Sequence, residues 1–301
     1  MDIREKIIKL KQKEEAIILA HNYQRPEVQE IADYVGSSLQ LCLKACESDA
    51  RCIVFCGVDF MAESAAILNP DKVVLIPVLN SRCPMAAMLP ASLILESKGK
   101  YPDAGVMLYV NTLAEAKAVA DIICTSTNAI QVARRIPSKE ILFGPDWNLA
   151  WYVQRNCPEK KIIPIPEHGY CYVHKLFGAE TLFAKEDNPD AELLVHPECD
   201  PEIQLKADFI GSTGQMYKRC FESGSEKFII ATEIGLIDRL KRELPRKTYI
   251  PALQSAICKE MKLHTLEKVY LALREKENVV RVPEEIAIRA RKSVEKMLRL
   301  F

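Results

Sequence analysis

Three copies of a parallel α/β unit, facing one shared centre, are what this 301-residue chain predicts. Three recurrences carry the prediction. Cysteines stand at Cys83, Cys171 and Cys258, separated by 88 and 87 residues. The pair Ala32-Asp33 returns at the same step as Ala120-Asp121 and Ala207-Asp208, Ser38 returns as Ser126 and Thr213, and Asp59 returns as Asp146 and Glu233. His21-Asn22-Tyr23, the polar end of the first apolar run, returns as Tyr109-Val110-Asn111 and His196-Pro197-Glu198. A fixed period over a whole chain marks a repeated structural unit. The expected fold is therefore three three-layer α/β/α domains with parallel sheets, set with pseudo-threefold symmetry around a central active site.

Each copy opens on an apolar run, Ala16–Ala20, Gly105–Val110 or Leu193–Val195, of the kind that suits a strand buried on both faces. A helix is expected next, over Pro26–Tyr34, Leu113–Asp121 and Pro201–Asp208. A short strand then ends in small residues at Gly36-Ser37-Ser38, Thr125-Ser126-Thr127 and Gly211-Ser212-Thr213-Gly214, where a second helix begins. The third strand, Cys52–Cys56, Ile141–Phe143 or Phe228–Ala231, leads to a helix opening at the recurring acid. The last strand, Val73–Ile76, Ile162–Ile165 or Thr248–Ile250, runs into the cysteine loop. Alternating strands and helices imply parallel sheets, whose ligands bind beyond the carboxyl ends of the strands. The domains are expected at 1–86, 87–173 and 174–258. The remainder, 259–301, reads as amphipathic helices over Leu266–Glu275 and Glu284–Leu298, packing back on the first domain together with the helix at Arg4–Lys13.

Composition excludes several classes. Formal net charge is zero with no basic stripe, which argues against nucleic acid. The N-terminus lacks the apolar segment of a signal peptide and no run reaches membrane-spanning length, so a cytoplasmic protein is expected. Eleven cysteines, an odd number without any C-x-x-C pair, do not form a disulfide framework. Most of them, such as Cys42, Cys56 and Cys124, sit in apolar stretches and read as small buried hydrophobes.

The recurring residues suggest a chemistry. Small hydroxyls before helices are ordinary N-caps, yet three helix N-termini pointing at one cavity would attract an anionic substrate. Neither a P-loop nor a dinucleotide fingerprint is present. Three cysteines from three domains suit either an iron–sulfur cluster with one iron not held by protein or a Cys₃ zinc site. His21 and His196 share one repeat position, and with Tyr23, Tyr109 and Glu198 they form a set suited to proton transfer. Asp59, Asp146 and Glu233 read as caps outside the site, and Asp33, Asp121 and Asp208 as structural hydrogen-bond partners.

These segments resemble the quinolinate synthases over residues 16 to about 268. The resemblance rests on His21-Asn22-Tyr23-Gln24, Asn80-Ser81-Arg82-Cys83-Pro84-Met85-Ala86, Tyr109-Val110-Asn111, Gly169-Tyr170-Cys171-Tyr172-Val173-His174, Leu194-Val195-His196-Pro197-Glu198-Cys199 and Gly211-Ser212-Thr213-Gly214. It implies condensation of iminoaspartate with dihydroxyacetone phosphate to quinolinate, a precursor of NAD, with release of phosphate and water. It implies a 4Fe-4S cluster on Cys83, Cys171 and Cys258, whose open iron acts as a Lewis acid. It also implies substrate binding by His21, Ser38, Asn111, Ser126, His174, His196, Ser212 and Thr213, and acid–base roles for Tyr23, Tyr109 and Glu198. Some relatives carry C-x-x-C-x-x-C at the third site, where this chain has Cys258-Lys259-Glu260-Met261. An L-aspartate oxidase or dehydrogenase is the implied supplier of iminoaspartate. Two rival enzymes share the plan, a diphthamide-forming enzyme that cleaves S-adenosylmethionine and a reductase of isoprenoid diphosphates. An iron–sulfur sensor is the non-enzyme alternative.

Overall fold

The computed structural model describes residues 2–300. It contains three four-stranded parallel sheets of identical topology. The first is built from β1 (Ala16–His21), β2 (Tyr34–Gly36), β3 (Cys52–Cys56) and β4 (Val73–Leu75), in the order β2-β1-β3-β4. The second uses β5 (Gly105–Tyr109), β6 (Ile122–Cys124), β7 (Glu140–Gly144) and β8 (Lys161–Pro164), in the order β6-β5-β7-β8. The third uses β9 (Glu192–Val195), β10 (Phe209–Ile210), β11 (Lys227–Ala231) and β12 (Thr248–Pro251), in the order β10-β9-β11-β12. The central strands β3, β5 and β9 are buried along their whole length. Helices on both faces produce that burial, which explains why these strands read as unbroken apolar runs.

Each sheet is preceded by a helix that the repeat pattern left partly unread: Ile3–Lys13, Ala91–Lys100 and Ala179–Asp187. The first is closed by a capping box between Asp2 and Glu5. The helices after the first strand of each unit are shorter than expected, ending at Ile31, Ala118 and Gln204. The recurring aspartate is the reason. Asp33, Asp121 and Asp208 accept the backbone N–H of Ile18, Val106 and Leu193 at 2.8, 2.8 and 2.7 Å. Their own N–H groups donate to the carbonyls of the same three residues. Each aspartate thus draws the chain out of the helix and starts it along the central strand.

The units differ in how their cores join. One continuous apolar core runs through the first and second sheets and takes in Val294 and Met297, whereas the third sheet packs its own clusters. Helix Leu266–Glu275 lies on the first unit, packing Val269 and Leu273 beside Ile7 and Ile18. Helix Glu284–Leu298 departs from the expected placement on the first domain. It seats mainly on helix Ala114–Ala118 and β6 of the second unit, and also on helix Asp59–Leu68 of the first. Arg291 donates to Ile67 O, Ser293 to Lys117 O and Lys296 to Asp121 O, so this helix pins two units together. An amphipathic pattern shows that a helix has a face to bury but not which neighbour will cover it. Among the described residues no helix is long and apolar enough to cross a membrane.

Candidate active site

The carboxyl ends of all three sheets open on one cavity. Of the residues singled out in the sequence, the cavity wall includes Cys83, Cys171 and Cys258, the acid–base candidates Tyr23, Tyr109 and Glu198, and the donors His21, Ser38, Asn111, Ser126, His196 and Thr213. His174 and Ser212 do not line it. His174 is buried behind Glu198, and Ser212 caps helix Thr213–Glu222 while accepting a hydrogen bond from Thr127 Oγ1 at 2.8 Å.

Two recurring contacts hold each cysteine loop. The N–H groups of Asp59, Trp147 and Ile234 donate to the carbonyls of Ser81, Gly169 and Ala256, each two residues before its cysteine. The recurring acids supply the second contact. Asp59 accepts the N–H of Cys83 at 3.0 Å and Glu233 that of Cys258 at 3.3 Å, and Asp146 stands at the equivalent place beside the backbone of Cys171. The acids are therefore helix-starting groups, as expected, and also anchors of the cysteine loops, which the sequence reading missed. Their place in the period, 24 or 25 residues before each cysteine, was the available signal. Gly169 is needed for the second loop: a Cβ there would sit 1.9 Å from Pro145 O.

His264 holds the loop of Cys83 from behind, with Nε2–H donating to Gly57 O at 2.7 Å and Ser81 Oγ at 3.1 Å. Burial pushes this imidazole down from 6.5 to about 4, partly countered by the bond to Gly57. The unfolded chain takes up the proton below about pH 6.5, whereas the folded ring resists it until about 4. Stability present at neutral pH is therefore lost as pH falls through that window. Denaturant unfolding at about pH 7.5 and about pH 4.5 should show His264→Gln losing less stability between the two than the parent, by on the order of 2–3 kcal/mol.

A directed hydrogen-bond chain runs along one wall. Glu198 is buried, which by itself raises a carboxyl pKa. Donors from His174 and Tyr109 outweigh that and hold it below the usual range. An ionised carboxylate only accepts. Tyr109 Oη therefore donates to its Oε1 at 2.6 Å, and His174 Nδ1–H faces Oε2 at 2.8 Å. His174 Nε2 must then accept, from Thr232 Oγ1 at 2.9 Å, and Tyr23 Oη completes the chain at 2.6 Å from Thr232. The order is Tyr23, Thr232, His174, Glu198, Tyr109. Thr232 was missed from sequence because a lone threonine at a strand end carries no distinguishing pattern. Burial and the Glu198 charge push both phenols well above 10, so they keep their protons at neutral pH.

His21 and His196 use Nδ1 to accept the N–H two residues on, from Tyr23 at 3.2 Å and Glu198 at 3.3 Å. The ring proton is therefore on Nε2, leaving each imidazole with one free donor. Burial holds both rings near 3, hence neutral. Helices Ser38–Glu47 and Thr213–Glu222 present their N-termini here, each closed by a reciprocal capping box, Ser37 with Gln40 and Ser212 with Gln215. In the second unit the helix starts later, at Ala129, with Asn128 as N-cap accepting from Thr125 N at 2.6 Å. Ser126 and Thr127 consequently lie in the turn instead of capping a helix. Among the described residues no lysine or arginine lines the cavity. Negative groups would be met by N–H, hydroxyl and imidazole donors.

Two observations bear on what the cavity holds. Asn111 Oδ1 is buried with no hydrogen-bond partner. The three cavity thiols are raised, foremost by burial, with Cys258 at about 12. The charges of Cys83 and Cys258 oppose ionisation of Cys171. Three thiols and a carboxylate converging without a lysine or arginine in the wall form a donor set that calls for a cationic centre. Cys171, His174 and Glu198 also place one ligand atom each within 4.8 Å of one another. His174 Nε2 is bonded to Thr232, Nδ1 stands 2.8 Å from Glu198 Oε2 and Glu198 Oε1 accepts from Tyr109, which makes this trio the edge of the site already described.

Comparison with known proteins gives a consistent picture. The family model described as Quinolinate synthetase A protein matches residues 5–299. A quinolinate synthase of Methanothermobacter thermautotrophicus is 57% identical over 296 residues, covering 98% of this chain and 97% of the relative. One of Pyrococcus horikoshii is 52% identical over 301 residues, covering 100% and 99%. One of Thermotoga maritima is 48% identical over 298 residues, covering 99% of each.

Proposed function

Since the chain belongs to the quinolinate synthetase A family, we propose that it condenses iminoaspartate with dihydroxyacetone phosphate to form quinolinate. The observation that carries this reading is the single cavity where three thiols from three sheets meet a proton relay and a set of neutral anion donors. The substrates bring two carboxylates and a phosphate. The products are quinolinate, phosphate and two waters, so the reaction balances without an oxidant or reductant. Its demands are orientation of two anions, movement of protons and loss of hydroxyl groups.

The thiols of Cys83, Cys171 and Cys258 fit a 4Fe-4S cluster held by three protein ligands, because such a centre supplies the positive charge that the wall lacks. When bound, the cluster supplies Lewis-acid polarisation of a substrate oxygen through its free iron. The chain's own residues do the rest. The N-termini of helices Ser38–Glu47 and Thr213–Glu222, with the Ser38 and Thr213 hydroxyls, receive carboxylate or phosphate oxygens. Ser126 and the Nε2–H groups of His21 and His196 add neutral donors to those anions. Asn111 Oδ1 takes an N–H or O–H of the substrates. Ser212 acts from behind, through its cap and Thr127.

Ring formation requires C–H protons to leave and hydroxyl groups to depart as water. Tyr109 and Tyr23 face the cavity as proton donors at opposite ends of the relay. Glu198 is its negative centre. A phenol that gives up a proton to a departing hydroxyl is recharged from a C–H proton passed through Glu198, or through Thr232 and His174. His174 keeps Glu198 oriented and ionised between turnovers. The iminoaspartate must come from a reaction class that oxidises the α-amino group of aspartate.

The deciding experiment incubates anaerobically prepared, iron-loaded protein with iminoaspartate and dihydroxyacetone phosphate. Quinolinate is the expected product. Its absence from protein with full iron content would reject the substrates.

A further inference from the structure

Gln29, Lys117 and Gln204 occupy one repeat position, 88 and 87 residues apart. All three are buried, at 2%, 0% and 1% exposure, although none lines the cavity. Each reaches back to the turn that carries its unit's site residues. Gln29 Nε2 lies 3.1 Å from Asn22 O and 3.0 Å from Gln24 O. Gln204 Nε2 lies 2.8 Å from both Pro197 O and Cys199 O. Lys117 Nζ donates to Thr112 O, the repeat equivalent of Gln24 O and Cys199 O. Each side chain also crosses to the next unit, and again to one repeat position. Gln29 bonds Gly235 O at 3.0 Å and Gln204 meets Asn148 O at 3.4 Å. Lys117 places its ammonium 5.4 Å from the centroid of the Phe60 ring. The Phe60 carbonyl already accepts Ser64 Oγ, so the second unit offers an aromatic ring where the others offer a backbone carbonyl. A ring face attracts a cation, which accounts for lysine in place of glutamine.

We propose that Gln29, Lys117 and Gln204 are a threefold set of positioning residues, each fixing one substrate-facing turn to the neighbouring unit. The turns carry His21 and Tyr23, Tyr109 and Asn111, and His196 and Glu198. A buried donor bound to the turn, at both ends in the glutamine units and at one end in the lysine unit, and reaching the adjoining unit sets the turn's angle to the cavity. The set thereby keeps the relay partners, which come from all three units, at bonding distance. This inference rests on the proposed condensation, and the parent protein assayed in parallel separates the two. If the parent makes no quinolinate, the functional reading fails. If the parent is active, the variants judge the positioning.

Gln204→Leu and Lys117→Met should lower kcat about 100-fold, as expected for a displacement of about 1 Å at the reacting groups. KM should change less, and iron content and circular dichroism should match the parent at the assay temperature. Lys117→Gln, which installs the residue of the other two units, keeps the turn bond and loses the ring contact and the charge facing Glu63 and Asp59, none of which touches the turn, so its kcat should stay within about fivefold of the parent. A purely structural role would lower the melting temperature and leave kcat of the folded fraction unchanged. Unchanged kcat in Gln204→Leu and Lys117→Met would therefore overturn the proposal, as would equal losses in Lys117→Gln and Lys117→Met. Should Gln204→Leu fail to fold, Gln204→Asn decides in its place. It keeps the amide but is one methylene too short to span both partners, and normal turnover in it would count against the proposal.

Discussion

Glu198→Gln retains its iron but loses turnover, with kcat falling by about 10²- to 10⁴-fold, the usual contribution of a positioned acid or base. The size of the effect follows from the geometry. Glu198 is the one group that joins both halves of the relay, accepting from Tyr109 Oη at 2.6 Å and facing His174 Nδ1 at 2.8 Å. A glutamine of the same shape carries no charge and cannot take a proton. One of its amide positions would also present N–H to a group that is itself a donor, so Tyr109 or His174 loses its partner. The three thiols proposed as ligands are untouched, and the iron, measured by metal content and visible absorbance, should stay at the parent level. Turnover close to that of the parent would remove Glu198 from the proton chemistry.

Single replacement of Cys83, Cys171 or Cys258 by alanine is expected to abolish both the proposed cluster and activity, whereas replacement of exposed Cys46 should change neither. Each of the three comes from a different unit, and no other cysteine lines the cavity. A lost ligand therefore has no neighbour to take its place. Loss of the metal's charge stabilisation, worth several kcal/mol, corresponds to at least about 10³-fold in turnover. The third site illustrates the point: Met261 packs into the cavity wall three residues after Cys258, where a thioether offers no thiolate. An iron-loaded, active Cys171→Ala protein would overturn the ligand assignment.

Much of the fold was legible because it is written three times. A residue type that recurs at Cys83, Cys171 and Cys258 or at Ala32-Asp33, Ala120-Asp121 and Ala207-Asp208 must serve one local geometry, and a central parallel strand shows itself as an apolar run. The same logic gathered His21, Tyr109 and His196 at equivalent strand ends before any contact was known. It could also have reached the acids at Asp59, Asp146 and Glu233 as cysteine-loop anchors, since their spacing was visible.

Helix ends were less legible. Pro26–Tyr34 reads as one helix, yet the chain leaves it at Ile31 because Asp33 binds the backbone of Ile18, 15 residues earlier. The seating of helix Glu284–Leu298 across two units depended on which surfaces those units left open.

By itself, then, the sequence determined three equivalent units, their strands, and the cysteines, hydroxyls and turns delivered to one centre, because each of these is a local consequence of residue type and period. Only the tertiary structure decided that His174 stands behind Glu198, that Ser212 meets Thr127 and not the cavity, and that Thr232 joins Tyr23 to His174. Those bonds link residues 58 and 209 positions apart. The first joins a loop to a strand end within the third unit, and the second exists only when the first and third sheets are set at one distance and angle, a setting that no pattern within a single sheet encodes.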